Sequence, residues 1–224
     1  MRKQIYTYTG SAWSPTTDEK FIYDGWNVVA VLNAASSNAL LRTYTWGMDL
    51  SGSLQGAGGV GGLLSTKDGS SVYHYTYDAN GNVSEVLDNT GGIAAHYEYD
   101  AFGNTAASSG SYATTNTYRF STKPLDSVSE LYYYGFRYYN PSSGRWLNRD
   151  PLYELGAKMI RRDREKLSET EDINMYLMVK NSPISLIDFL GLYVEAGTVT
   201  STEILVAQGA ELYRAESEFP RPIY

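Results

Sequence analysis

The sequence contains no cysteine and only two histidines among its 224 residues. Without cysteine the chain can form neither a disulfide bond nor a thiolate zinc site, so packing and hydrogen bonds must hold the fold. The histidines, His74 and His96, fall at equivalent positions of a repeat, and neither has a nucleophile nearby in the sequence. We therefore expect these histidines to occupy facing positions of a sheet. We predict no metal site and no cofactor.

Long apolar runs and a positive net charge are also missing. No stretch approaches the run of about 18 apolar residues that a spanning helix needs, and the N-terminus lacks the apolar run of a signal peptide. The 18 basic and 25 acidic residues give a net charge of -7, which repels phosphate groups and anionic lipid. We therefore predict no nucleic-acid partner and no membrane insertion, and these features leave the localisation unknown.

Tyrosine and glycine, in contrast, are abundant, with 21 residues of each. Tyrosine favours strands because its ring packs on a pleated surface while the hydroxyl group reaches water or a polar partner. Glycine supplies the turns between strands. The composition therefore predicts an all-β fold.

A tyrosine-aspartate pair recurs along the N-terminal half. It occurs at Tyr23-Asp24, Tyr77-Asp78 and Tyr99-Asp100, of which the last two lie 22 residues apart, and Tyr44 lies 21 residues beyond Tyr23 in a unit that has lost the aspartate. A period near 22 residues indicates stacked units of one kind. Asn80-Gly81 matches a two-residue hairpin turn, and we expect Asp78 to cap that turn by accepting backbone N–H bonds. A sugar-binding role for the tyrosines is an alternative to a structural stripe.

Residues 132–151 form the most distinctive stretch, YYYGFRYYNPSSGRWLNRDP. Its first half alternates as a strand does, and residues 140–144 combine proline, serine and glycine as a turn does. Residues 145–147 then resume an extended path. The stretch therefore predicts a β-hairpin.

Together with residues 174–192, NMYLMVKNSPISLIDFLGL, this stretch resembles the conserved core of RHS (rearrangement hotspot) proteins, a branch of the YD-repeat family. That family includes bacterial polymorphic toxins and the C component of insecticidal toxin complexes. The resemblance runs from about Phe21 to Leu192. It implies a spiral of β-strands that closes into a hollow shell, plugged by this core. In toxin members the plug cuts the chain and releases a variable C-terminal segment inside the shell.

The resemblance divides the chain into three parts. Residues 1–131 form a YD-repeat region of antiparallel β-hairpins, expected to make a curved sheet or partial shell, and residues 132–192 form the RHS repeat-associated core that closes it. The charged segment 157–172 favours a helix and is expected to be a helical insertion in this core. Residues 193–224 form a variable tail.

Two aspartates are the candidate catalytic residues. The resemblance implies that Asp150 and Asp188 act as an aspartic protease pair on the peptide bond Leu192-Tyr193. Such a pair needs one ionised carboxylate to accept a proton from water and one protonated carboxyl group to polarise the carbonyl. Arg149 would hold one carboxylate ionised or stabilise the oxyanion.

The motifs depart from the family pattern at two points. The first reads DPLYELG where DPxGL is usual, and the second has Phe189 where proline is usual. The alternative is that Asp150 and Asp188 only cap turns.

The resulting hypothesis is a C-terminal part of an RHS shell protein of the polymorphic-toxin type, a scaffold that encloses or presents a C-terminal segment and cleaves itself after Leu192. Its expected partner is an upstream RHS/YD-repeat shell or a secretion system, and family resemblance implies a secreted or cell-surface location. Two alternatives stay open. One is a non-catalytic adhesive module that binds cell-surface glycans, and the other is a truncated remnant of a larger RHS protein.

Overall fold

The computed structural model describes residues 1–149, 174–184, 186–188 and 190–191. These residues form 12 β-strands and two short 3-10 helices, Phe120–Thr122 and Val179–Asn181, and contain no α-helix. The prediction was an all-β fold, and the structure confirms that the described residues are mostly β and antiparallel. The predicted helical insertion at 157–172 lies outside the described residues. No helix in the described part is long and apolar enough to cross a membrane.

Nine strands form a single antiparallel sheet in which each strand pairs with its neighbours in sequence. A second, three-stranded antiparallel sheet follows. The strands of the first sheet are β1 (Arg2–Tyr8), β2 (Trp13–Asp24), β3 (Asn27–Asn33), β4 (Ala39–Trp46), β5 (Leu63–Asp68), β6 (Ser71–Tyr77), β7 (Val83–Asp88), β8 (Ile93–Tyr99) and β9 (Thr105–Ser109). Those of the second are β10 (Tyr132–Tyr133), β11 (Tyr138–Asn140) and β12 (Arg145–Trp146).

The repeat is visible in the sheet as a recurring irregularity. The pairing register shifts immediately before Tyr23, Tyr77 and Tyr99, and again before Trp46, which takes the tyrosine position in β4. A bulge of this kind increases the local twist of the strand. Because β2, β4, β6 and β8 run in the same direction, all four bulges and the turns after them lie at one end of the sheet. We call this end the tyrosine-aspartate rim.

Two rim turns are built in the same way around their aspartate. Asp78 Oδ1 accepts hydrogen bonds from the backbone N–H of Asn80 and of Asn82, both at 2.9 Å, and Asp78 Oδ2 accepts one from Asn82 Nδ2 at 2.7 Å. Asp100 makes the equivalent three bonds to Phe102 and Asn104. The predicted capping role of Asp78 is confirmed. The two-residue turn at Asn80-Gly81 is wrong, because residues 78–82 form one longer loop between paired Tyr77 and Val83.

Replacing Asp78 by alanine is expected to lower the free energy of unfolding by about 1–2 kcal/mol, because two backbone N–H groups and one amide lose their acceptor. Asp24→Ala is the matched control. Asp24 occupies the same position in the first repeat, yet it is exposed and its carboxylate accepts no hydrogen bond from another described residue. Its replacement is expected to change stability by less than about 0.5 kcal/mol in urea unfolding. Equal losses for both variants would contradict the role of the Asp78 bonds.

The main core covers one face of the nine-stranded sheet. Val31, Leu63, Val83 and Val86 are completely buried there. Residues 110–131 cross this face, and their rings pack on those of the strands: Tyr112 stacks on Tyr73 with centroids 3.7 Å apart, and Tyr118 lies edge-on to Tyr44 at 5.2 Å. Buried hydroxyl groups find polar partners, such as Tyr75 Oη, which donates to Asn116 Oδ1 at 2.8 Å. The tyrosine side chains on this face of the sheet therefore belong to the hydrophobic core.

A second aromatic cluster lies on the rim. We call the described residues of 132–149 and 174–191 the aromatic cap. Polar groups join it to the rim turns: Tyr139 Oη donates to Phe102 O at 2.8 Å, Asn104 Nδ2 to Pro141 O at 3.0 Å, and Asn80 Nδ2 to Ile184 O at 3.2 Å. Its hydrophobic cluster consists of the buried side chains of Tyr132, Tyr134, Tyr139, Trp146, Met178 and Val179, packed with Phe120.

The predicted hairpin of the cap contains one more turn than expected. The alternating stretch 132–139 was predicted as one strand, but Tyr134 N donates to Arg137 O at 3.0 Å and closes a tight turn within it. Gly135 lies in this turn with a φ of 103°, a conformation that favours glycine. The predicted turn at 140–144 does join two strands, β11 and β12. The cap is therefore a three-stranded meander with Arg137 at its first turn.

Candidate functional site

The structure describes two of the five predicted site residues. Asp188 lies in the aromatic cap and is 1% exposed. Arg149 is exposed, and its Nε donates to Tyr176 Oη at 3.4 Å. Asp150, Leu192 and Tyr193 lie outside the described residues. The proximity of Asp150 to Asp188, and a role for Arg149 beside them, therefore stay predictions.

Three described donors bind the Asp188 carboxylate. Its Oδ1 accepts hydrogen bonds from the backbone N–H groups of Leu190, at 3.2 Å, and Gly191, at 2.7 Å, while Oδ2 accepts one from Arg137 Nη2 at 3.1 Å. The turn requires glycine at position 191, where φ is 71° and a Cβ atom would lie 3.1 Å from the Tyr134 Cβ. A set of N–H donors around both oxygens suits an ionised carboxylate.

Arg137 is the central residue that the sequence reasoning missed. Its side chain is buried like that of Asp188, and its guanidinium carbon lies 4.1 Å from the centroid of the Trp146 ring. Arg137 Nε donates to the carbonyl oxygen of Gly191, and Nη1 donates to Met175 O at 3.4 Å. One guanidinium thus joins the first turn of the cap to the chain on both sides of Asp188. The available signal was a single arginine in an otherwise aromatic run.

A second buried cation lies in the same cluster. Lys123 is 5% exposed, its Nζ donates to Gly58 O at 2.7 Å, and its ammonium lies 5.5 Å from the centroid of the Tyr134 ring. Burial lowers the pKa of Lys123 to about 8, although the negative charges of Asp188 and Asp49 act in the opposite direction. Burial also raises the pKa of Tyr134 well above its usual value. Asp188 therefore contacts one cation, Arg137, and its charge also acts on a second cation, Lys123.

The arrangement fits one half of an acid–base pair. A buried ionised carboxylate beside the backbone of residues 190–191 can accept a proton from water, provided that a second acidic group supplies the proton that the reaction also needs. The same contacts would also stabilise a purely structural turn. Within the described residues, no three histidine, aspartate or glutamate side chains are grouped closely enough to hold a metal ion.

Comparison with known families gives a match to the RHS Repeat model over residues 77–115. These residues include the turns of Asp78 and Asp100. The chain is also 35% identical over 122 residues to the toxin subunit YenC1 of Yersinia entomophaga, a match covering 53% of this chain and 11% of YenC1. It is 29% identical over 182 residues to the tRNA3(Ser)-specific nuclease WapA of Bacillus spizizenii, covering 79% of this chain and 7% of WapA. The chain therefore spans only a small part of the length of either protein.

Solved structures of toxin complexes share the fold. The crystal structure of TcdB2-TccC3-TEV matches with a TM-score of 0.57 and 24% identity, over 86% of this chain and 8% of that chain. The crystal structure of TcdB2-TccC3-Cdc42 matches with a TM-score of 0.52 and 23% identity, over 90% of this chain and 10% of that chain. At this level of identity the likeness concerns the fold alone.

Proposed function

Since the chain is an RHS-repeat protein related to YenC1 and WapA, we propose that it forms the closed end of an RHS shell of the polymorphic-toxin type. In this role the nine-stranded sheet is part of the curved wall and the aromatic cap closes it. The chain would enclose or present its C-terminal segment, residues 193–224, and would release that segment by cutting the Leu192-Tyr193 bond.

The observation that carries the proposal is the contact of Arg137 with Asp188 and Gly191. Arg137 holds the Asp188 carboxylate and the carbonyl oxygen of Gly191 at the same time. Gly191 directly precedes Leu192 in the sequence, so this contact lies one residue before the bond that we propose is cleaved. Positioning of this kind contributes a large part of the rate enhancement in enzymes, because it replaces an entropically costly encounter.

The proposed reaction is a peptide hydrolysis in which Asp188 is the base. Asp188 accepts a proton from a water molecule, and the water oxygen adds to the carbonyl carbon of Leu192. Asp150, in the protonated state, polarises that carbonyl, and the proton that Asp188 took from water then passes to the nitrogen of Tyr193 as the C–N bond breaks. The products are a carboxyl group on Leu192 and an amino group on Tyr193. Arg137 acts as a positioning residue, and it keeps Asp188 charged.

The open edges of the sheet support a shell partner. Among the described strands, β1 and β9 each pair on one side only, and unpaired edges are sites where further strands add. Beside β1 the exposed rings of Tyr8 and Trp13 pack on each other with centroids 5.3 Å apart. We propose that preceding RHS hairpins extend the wall at β1. The glycan-binding alternative is less well supported, because most tyrosines of the repeats belong to the core or pack against it.

The test is the intact mass of the expressed chain. We expect a 192-residue product from the wild-type protein, and only the intact 224-residue chain from Asp188→Asn and from Asp150→Asn. Asp24→Asn, which changes an exposed rim aspartate, is the matched control and is expected to be cleaved like the wild type. A wild-type protein that keeps a single intact mass would remove the autoprotease proposal and leave the wall and cap as a scaffold.

A further inference from the structure

Lys123 is a buried charge whose position the repeat architecture does not explain. Its ammonium faces a carbonyl oxygen and an aromatic ring, and no carboxylate of the described residues lies within 4.0 Å of it. Taking an ammonium out of water is costly unless it is paired, and such groups are therefore concentrated at functional sites. Methionine or leucine would fill the same space without this cost.

The glycine-rich connection between β4 and β5 provides the socket for Lys123. The buried Asp49 organises it, since Asp49 Oδ2 accepts hydrogen bonds from Ala57 N at 2.7 Å and Gly59 N at 3.1 Å. These bonds flank Gly58, whose carbonyl oxygen accepts the bond from Lys123. Asp49 is thus occupied by backbone donors, and its charge acts on Lys123 only at longer range.

The aromatic cap lies on the other side of Lys123. The Tyr134 ring, against which the ammonium packs, also contacts the turn that Asp188 closes: a Cβ atom on Gly191 would lie 3.1 Å from the Tyr134 Cβ. Among the described residues, the charges of Asp49 from the glycine-rich connection and of Asp188 from the cap act on Lys123, and the Tyr134 ring packs against its ammonium. Asp188 is the one among them with a proposed chemical role.

We propose that Lys123 is a positioning residue for the Asp188 carboxylate, acting through its positive charge from the face of Tyr134 while Arg137 binds the carboxylate directly. This inference rests on the proposed self-cleavage. In a pair of carboxyl groups that share one proton, a second cation near Asp188 favours the charge on Asp188 and the proton on Asp150, which is the arrangement that the proposed reaction needs. The bond to Gly58 O fixes the position of the ammonium.

The proposal predicts a pH dependence with a definite sign. Lys123 is charged below a pH of about 8 and neutral above it, because burial lowers its pKa. The rate of self-cleavage should therefore fall as the pH rises through about 8. Lys123→Arg keeps the charge at all these pH values, so its rate should not fall in that range. Lys123→Met removes the charge, and its rate should be lower on the order of tenfold at pH 7 and no longer fall near pH 8.

The experiment measures cleavage in chains that have just been made. The 224-residue chain is synthesised in a cell-free reaction, synthesis is stopped, aliquots are shifted to buffers from about pH 6 to 9.5, and the 192-residue product is quantified by mass. Lys67→Met, which removes an exposed lysine of β5, is the matched control and should follow the wild-type profile. A wild-type fall near pH 8 that persists in Lys123→Met or in Lys123→Arg would overturn the inference.

A second measurement does not depend on cleavage. The protonation of Lys123 is followed by NMR of the lysine ε-carbon, labelled with carbon-13, in the wild-type chain and in Asp188→Asn. If the two charges act on each other, removing that of Asp188 should lower the midpoint of the Lys123 titration further. An unchanged midpoint would refute the inference even if the chain cleaves itself. If the wild-type chain is never cleaved but the midpoint shifts, the autoprotease proposal fails. The role of Lys123 in that reaction then fails with it, although the two charges do interact.

Discussion

Replacing Arg137 by methionine is expected to lower the free energy of unfolding by about 3–5 kcal/mol, which is a large part of the stability of an ordinary domain. Methionine keeps part of the aliphatic stem but leaves the buried Asp188 without its cation. The carbonyl groups of Gly191 and Met175 also lose a donor. Urea unfolding followed by tryptophan fluorescence measures the change, and Trp146, which packs under the guanidinium, reports on the site directly.

Two further variants make this prediction specific. Arg145→Met removes an exposed arginine of β12, close to the same tryptophan in sequence, and is expected to change stability by less than about 0.5 kcal/mol. In the double variant Arg137→Met/Asp188→Asn the buried charge is gone, so it should lose less than the sum of the single losses. Additive losses would mean that Arg137 stabilises the cap through packing on Trp146 and not through Asp188. Intact masses must be checked first, because cleaved and intact chains are not comparable.

Raising the pH above about 10 is expected to unfold the protein within one to two pH units. Burial raises the pKa of Tyr75, Tyr77, Tyr99, Tyr118 and Tyr134, in each case as the largest influence, and it raises the pKa of Tyr132 to about 12. A phenol whose pKa is raised by folding contributes stability below its unfolded pKa, and this contribution is lost as the pH rises through the folded value. Each such tyrosine removes up to about 1.4 kcal/mol per pH unit above pH 10.

The titration of Lys123 changes the stability in the opposite direction, and it does so at lower pH. Its pKa is lowered by burial to about 8, so the cost of burying its charge is present below that pH and is relieved as the pH rises toward 10. Stability should therefore rise between about pH 8 and 10 and then fall steeply. If the rise is absent in Lys123→Met, it is caused by the titration of this residue.

The measurement is an alkaline titration that follows tyrosine ionisation by ultraviolet absorbance and unfolding by circular dichroism. The two signals should change together for the buried phenols, since these ionise only when the chain unfolds. Tyr6→Phe, a change at an exposed ring of β1, should leave the unfolding midpoint where it is. Ionisation of most tyrosines before any loss of structure would contradict the burial of the aromatic core.

Features of the fold that depend on residues close together in the sequence were predictable. The tyrosine-aspartate pairs, their spacing and the glycines indicated antiparallel hairpins, and Asp78 caps its turn as expected because the groups it binds lie within four residues of it. The length of that turn was not predictable from Asn80-Gly81, because the Asn82 side chain also binds Asp78 and extends the loop. Likewise, the positive φ of Gly135 interrupts what alternation alone presents as one strand.

The candidate site shows the limit of reasoning from adjacency. Arg149 was predicted for the site as the neighbour of Asp150 in the sequence, and that role stays a prediction. Arg137, which was not predicted, binds Asp188 in the structure. That contact joins residues 51 positions apart. Lys123 and Gly58 are 65 positions apart and meet only because residues 110–131 cross the sheet and reach the rim.

By itself, the sequence determined the β class, the repeat, the turn chemistry and the family resemblance, because each of these is written in short-range patterns of residue type. Only the tertiary structure decided which charges are buried and which groups they meet. The physical reason is that the cost of a buried charge depends on every element packed around it, and at Asp188 those elements are the first turn of the cap, the crossing segment with Lys123 and the glycine turn at position 191.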